Sequence, residues 1–503
     1  MHYTRLFGSL ALAAGISCLA GQVTPSFAQV PSGIKDAYRK EAPRPGTEVS
    51  SAITQMRDGK LEVGIDPPEP EGPKHKEYLK KTAEFLIFPV THSEFYTESI
   101  EMNPGARKQQ LGLPERDNTL DGVLSELERY VVVPDARSKA PSNQSEYIQE
   151  FGKALDAAIG SILNDKSKTP PPVKLNAVRA LAVACKSGAR AHAKTVLALL
   201  TDEKVPLYLK VPALKAAENL LAAGDMRELQ GPNPYKHSIP DADLAALVNA
   251  IEAIIDQMNK TFEPAEAAPV KATKPGTPPA PGKLEPALPA AQPLDPAVAL
   301  YIRKLAVQAL SKVRVASIPG PNHTTAARPG VTLARIAIGD PRFTGGGTVA
   351  ELTDAVSGLA TMHFDSSINM DVLLDAIAAG VSTVGGLKAS AGSPSNPDYK
   401  KYVPWKKTAA QLNTALNTLQ TSPDKNPVAA ANRSAIGTLV STCTTYVLQP
   451  IEADKNDGQG TTVPVDPARV SDYRKQNARK SDLLLRNDGE SKVTLPNQRA
   501  AGR

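Results

Sequence analysis

The 503-residue chain is expected to be all-α, a row of antiparallel helix pairs with unordered segments at both ends and in the middle. Three observations lead there. One apolar helix face is written three times along the chain. Alanine recurs at helical spacing while aromatic residues make up only 5% of the total, which suits closely packed helices better than a sheet. Stretches dense in proline or charge, without any periodic apolar face, separate the helical segments.

The threefold face is the firmest of these. From Val173 to Gly188 the chain reads VKLNAVRALAVACKSG, and from Leu209 to Gly224 it reads LKVPALKAAENLLAAG. From Ile302 the pattern returns as IRKLAVQALSKVR. Each copy gives an aliphatic residue, a base, two variable positions, alanine, an aliphatic residue, a polar one and alanine. A recurrence at about 36 residues is the mark of a helical repeat array.

Taken in order, residues 1–28 have the layout of a secretory signal peptide: Arg5, an apolar run from Leu6 to Ala20, and Pro25-Ser26-Phe27-Ala28 as a small-residue cleavage site. The run is shorter than the roughly 20 residues that span a bilayer. Cys18 inside it lacks the small-residue approach of a lipidated cysteine. Residues 29–74 form a poorly ordered segment with one short helix near Val49 to Arg57. Residues 75–262 are the first helical-repeat part. Its helices begin near His75, ending or kinking at Pro89, then run from Leu120 to Val133 with Leu124, Leu127 and Tyr130 to Val132 inward. The next starts at an Asn143 cap with Glu146 three residues on, carrying Ile148, Phe151, Leu155, Ile159 and Ile162. Pro170 to Pro172 launch the Val173 helix, and Ala191 to Leu200 is expected as its antiparallel neighbour. The second copy starts near Lys210 or kinks at Pro212. Pro240-Asp241 opens a helix with Leu244, Leu247, Val248, Ile251, Ile254, Ile255 and Met258 on one stripe.

Residues 263–296 are a disordered, proline- and alanine-rich linker that interrupts the array just before the third copy. Residues 297–449 continue helical. The helices expected there are Thr332 to Ile338, a helix to Met362 boxed by Thr348 and Glu351, and Met370 to Val381 followed by a Gly/Ser-rich loop to Asn396. Two more close the part: a seam of Tyr402, Trp405, Ala409, Leu412, Leu416 and Leu419, answered by Ala430 to Leu448. Residues 450–503 are expected to be a disordered basic tail.

The aliphatic-plus-base openings Val173-Lys174, Leu209-Lys210 and Ile302-Arg303, with alanines at 177, 213 and 306 and again at 180, 216 and 309, resemble the second helix of a HEAT repeat. The resemblance implies an irregular HEAT-like α-solenoid: antiparallel helix pairs stacked into a superhelix that offers a binding surface. It implies an interaction scaffold and brings no catalytic residues with it.

Searches of the sequence for chemistry return little. His75, His92, His192, His237, His323 and His363 stand singly, with no pair at metal-ligand spacing, and are expected to be solvated or incidental. There is no Cys-x-x-Cys and no Gly-x-Ser-x-Gly. Gly345-Gly346-Gly347 precedes a helix but lacks the Lys-Ser/Thr of a phosphate loop, and reads as a flexible turn. Asp371 and Asp375, one turn apart, are spaced for acid/base work but also as ordinary helix-surface acids. Cys185 and Cys443 fall on apolar stripes and read as buried small hydrophobes. Trp405, the sole tryptophan, reads as an anchor of its seam.

The net charge of +6, about +5 without Arg5, is no signature of nucleic-acid binding on so long a chain. No segment after residue 28 is expected to cross a membrane. The expectation is therefore an exported, periplasmic or extracellular, non-enzymatic scaffold for a protein or cell-envelope partner, with no catalytic, cofactor or metal residues. Its rivals are an envelope tether acting through the basic residues from Arg469 to Arg503, and an enzyme with a site between Thr332 and Asn396.

Overall fold

A computed structural model describes residues 38–63, 75–92, 119–132, 141–165, 169–223, 225–226, 236–262, 294–320, 325–340, 343, 348–390, 403–424, 426–454, 464–478 and 481–485. The stretch 1–28 read as a signal peptide, most of the expected linker 263–296, Gly345 to Gly347, residues 391–396 of the expected loop and everything past Leu485 lie outside them. The described residues are mostly helical, which agrees with the all-α expectation. Contacts divide the chain into two units, Met1–Ile251 with Ser317–Ala327, and Glu252–Ala316 with Arg328–Arg503.

In the first unit, α1 (Thr47–Arg57) turns Ile53 and Met56 inward. The helix α2 (His75–Ile87) runs into a 3-10 turn, Phe88–Thr91, where Pro89 is placed in the opening positions. The helix α3 (Leu120–Val131) is capped by Thr119, whose hydroxyl accepts from Gly122 N at 3.0 Å. Val132, expected inward, is 47% exposed, because the backbone turns extended once the helix has ended. The helix α4 (Pro141–Leu163) starts two residues ahead of Asn143, so that residue lies within its first turn. Tyr147, Phe151, Leu155, Ile159 and Ile162 form its buried stripe.

The first repeat copy is α5 (Pro171–Ala184). Prolines occupy its first positions, where no N–H is needed, and a 3-10 turn, Cys185–Ser187, leads to Gly188 at φ 71°. After α6 (His192–Thr201) comes the second copy, α7 (Leu207–Ala223), which begins earlier than Lys210 and keeps Pro212 inside. The shared positions are the buried ones: Val173, Ala177, Val178 and Ala180 in α5, and Leu209, Ala213, Leu214 and Ala216 in α7. The repeat is therefore a packing face.

Packing in this unit alternates. Helix α4 packs on both α2 and α6, while α5 packs on both α3 and α7. Sequence neighbours α2 and α3, α4 and α5, and α6 and α7 also pack. The neighbour expected for α5 was α6, yet α6 packs mainly on α7 and α4. A close approach fixes one of these seams: a Cβ on Gly152 of α4 would stand 2.2 Å from Ala189 Cβ. Two short hairpins, Asp225–Met226 with Lys236–His237 and Ile318–Pro319 with Thr325–Ala327, were not foreseen. The helix α8 (Asp241–Lys260) buries all seven residues of its expected stripe and gives residues to both units.

The second unit repeats the alternation. The third copy, α9 (Pro296–Leu310), is capped by Asp295 and packs on α11 (Val349–Ala360), which packs on α13 (Trp405–Thr421). Between them in sequence, α10 (Pro329–Ile338) packs on α12 (Met370–Ser390). The Thr348–Glu351 capping box is present with both of its hydrogen bonds. Helix α12 continues past Val381 to Ser390, into the stretch expected to be loop, where Gly385 is a contact point: a Cβ there would meet Val447 Cγ1 at 3.1 Å.

The stretch expected from Ala430 to Leu448 is α14 (Pro427–Ala431), α15 (Arg433–Cys443), a π-helical turn Thr444–Leu448 and α16 (Gln449–Ala453). Helix α13 packs on α15 and α16, as the closing pair requires.

Two expectations for this unit are corrected. The tail was read as disordered from residue 450, but Pro467–Gln476 is a helix, α17, packed on α12 and α15. Asp466 caps it, Val470 and Tyr473 are buried, and Leu484 and Leu485 are buried beyond it. Pro450 contributes: without an N–H it cannot serve the Tyr446 carbonyl, which accepts from Asp466 N at 2.9 Å. Helix α12 is also long and apolar enough to cross a membrane by length and composition, against expectation. In the structure 72% of its apolar window is buried against protein, as in a core helix.

Candidate functional site

Helices α2 and α4 leave an open groove of about 380 Å³ between them. The α2 wall is Lys76, Leu79, Lys80 and Glu84, followed by Phe88 just past the helix. The α4 wall is Glu150, Lys153, Ala154, Ala157, Ala158 and Ser161. Both sets step by three and four residues, so each is one stripe, and the stretch from Lys76 to Phe88 spans about 18 Å of helix. The groove exists where α4 offers the small side chains of Ala154, Ala157, Ala158 and Ser161. Larger ones would fill the seam, as Tyr147 and Phe151, stacked at 5.4 Å, do elsewhere on the same helix.

Charge is placed unevenly along it. Lys153 is paired with Glu150 on its own helix. Lys76 and Lys80 are exposed, and neither makes an ion pair among the described residues. At the far end Lys40 Nζ donates to the Ser161 carbonyl at 2.9 Å and lies 5.5 Å from the Phe88 ring centre. Phe88 and Ser161 both close the C-terminal ends of their helices, so α2 and α4 run in the same direction.

The residues singled out in the sequence do not gather into a reaction centre. His192, expected to be solvated, is fully buried; its Nδ1 is 3.2 Å from Asp156 Oδ1, and Thr195 donates to the other oxygen at 3.0 Å. His75 is buried as well, with Nδ1 3.1 Å from the Glu62 carbonyl. His192 thus joins α6 to α4, and His75 joins the start of α2 to the chain that follows α1. His92 and His363 are half-buried, while His323 and the side chain of His237 lie outside the described residues. No group of metal-ligating side chains occurs among the described residues.

Asp371 and Asp375 do not work as a pair. Asp375 gives one oxygen to Arg474 Nε at 2.6 Å and the other to Arg474 Nη2 at 3.1 Å, in a buried bidentate contact. Cys185 and Cys443 are free and buried. Burial, with Asp156 nearby, pushes the Cys185 thiol well up, and burial raises Cys443 to about 12. Near neutral pH neither is a thiolate, so neither is a nucleophile as folded. Trp405 is fully buried, as its seam position predicts, with Lys388 Nζ 5.5 Å from its ring. That lysine is itself buried against Asp454 at 2.7 Å.

Two features escaped the sequence reading. Arg303, at the base position of the third copy, is 1% exposed and binds Glu351 through Nε at 2.7 Å and Asn259 through Nη1 at 2.9 Å. Glu351 thus serves both the capping box and a buried ion pair. The groove was missed because α3 separates its two walls in sequence. Its one signal was the small-residue stripe Ala154, Ala157, Ala158 and Ser161 on an otherwise bulky helix. No family model, curated protein or solved structure matches the chain.

Proposed function

We propose that the chain is an exported helical-repeat scaffold, not an enzyme, that binds a protein partner along the groove between α2 and α4. The observation that carries this reading is the groove itself, an open seam with small side chains on its α4 side, where exposed Lys76 and Lys80 make no ion pair among the described residues. The alternating packing supports a HEAT-like solenoid, since stacked antiparallel pairs bring each helix against the one two elements on. Export rests on residues 1–28, with cleavage near Ala28. A tether acting through the basic tail has less support. Among its described residues Arg474 is paired with Asp375, and Arg469 and Lys475 each face an acid of their own helix turn, while Arg479, Lys480 and the bases from Arg486 on lie outside the described residues.

The test is crosslinking purification of the tagged full chain from envelopes of producing cells. The expected result is one partner held in fixed ratio, lost with Ala157→Trp, on a chain whose N-terminus is Gln29. A set of co-purifying proteins unchanged by Ala157→Trp would overturn the proposal.

A further inference from the structure

We infer that the α2–α4 groove takes an amphipathic helix of about three turns that carries acidic residues along one flank. This rests on the scaffold reading and adds the chemistry of the partner. A groove of about 18 Å matches either some twelve residues of helix or some five of extended chain. The walls decide between them. Both are α-helices whose backbone groups are already bonded within the helix, so an extended segment would find no edge to pair with and would carry its own donors unsatisfied. A helix satisfies its own.

The small side chains of α4 fit the same occupant. Ala154, Ala157, Ala158 and Ser161 let a third helix axis approach to about 8 Å, the near end of the range for packed helices. Leu79, at the base of the groove, and Phe88, at its end, then meet an apolar stripe.

Charge sets the flank. Lys76 and Lys80 stand one turn apart on the rim of α2, without an ion pair among the described residues. Lys153 is already neutralised by Glu150. Two acids one turn apart on the incoming helix would pair with Lys76 and Lys80, whereas the other end carries charge of both signs, Glu84 and Lys40, and favours neither.

The test uses the purified full chain and a displayed library of randomised helical peptides of sixteen residues or so. Enriched peptides should be amphipathic with an acidic pair one turn apart. Their affinity should fall about tenfold or more with Lys76→Glu plus Lys80→Glu, and stay unchanged with the exposed Lys204→Glu. Peptides with the acids changed to lysine should regain binding to the doubly reversed variant. Circular dichroism checks that each variant keeps its helices. The inference is overturned if no binder emerges, if enriched peptides lack acids or are proline-rich, or if Ala157→Trp leaves their affinity intact. Should the cellular partner still be lost with Ala157→Trp while enriched peptides lack acids, the scaffold reading stands and only this inference fails.

Discussion

Replacing Arg474 by methionine should unfasten the tail of the second unit. The side chains of Arg474 and Asp375 are only 5% and 10% exposed, and both carboxylate oxygens of Asp375 are bonded to the guanidinium. Arg474→Met takes the guanidinium away from both oxygens of a carboxylate buried on a strongly apolar helix. Breaking such a pair costs about 3–5 kcal/mol. Trp405, the sole tryptophan, is fully buried in the same unit, so its fluorescence follows the unfolding of that unit in urea. With a urea slope of about 1–3 kcal/mol per molar, the midpoint should drop by about 1–5 M.

The molecule has one way to soften this loss. Helix α17 buries little besides Val470, Tyr473 and Arg474, so it could lift away and let Asp375 reach water. Trypsin would then cut at Arg469 and Lys475 in the native protein. The control is Arg433→Met, whose pair with Asp424 is 61% and 64% exposed and should contribute no more than about 1 kcal/mol. If Arg474→Met behaves like that control and its tail stays resistant to trypsin, the reasoning fails.

Other outcomes follow from the same packing. Asp375→Leu combined with Arg474→Met should recover most of the lost stability in urea, because an apolar pair of similar volume replaces a buried ion pair at little cost. Gly380→Ala should lower stability, since its Cβ would meet Val356 at 2.3 Å, whereas Gly386→Ala in the same helix meets nothing and should raise it by about 0.5–1 kcal/mol. Burial holds Cys443 and Tyr473 neutral up to about 12, so the folded state keeps their protons longer than the unfolded chain does. The contribution of these two groups to stability should therefore be fully present below about pH 8.5, where the unfolded thiol begins to ionise, and be lost as pH rises from there through about 12. The urea midpoint at pH 8 and at pH 10 or so checks this, and Cys443→Ala should flatten the fall.

What the sequence made legible was whatever is local and periodic. The aliphatic and alanine positions of the three copies are all buried, the Thr348–Glu351 box forms, and the seven-residue stripe of Asp241–Lys260 is buried throughout. What it hid depends on partners far along the chain. Gly385 read as a loop residue because nothing local shows that Val447 presses against it, and the press of Val356 on Gly380 was hidden in the same way. Asp375 read as a surface acid because its partner lies 99 residues away. The tail helix had a usable signal, Asp466-Pro467, the same opening as Asp295-Pro296, but the polar composition around it outweighed that signal. The groove was the least legible feature. Lys76 and Lys80 are unremarkable on their own helix, and only the side-by-side packing of α2 and α4 gives them a common purpose.

The central claim is that partner contact belongs to this groove, and a photo-crosslinking amino acid placed in producing cells tests it most directly. Substituted at Ala157, which faces the groove, it should give one discrete adduct; at Lys204, exposed between α6 and α7, it should give none. Equal adducts from both positions, or an adduct from Lys204 alone, would contradict the account.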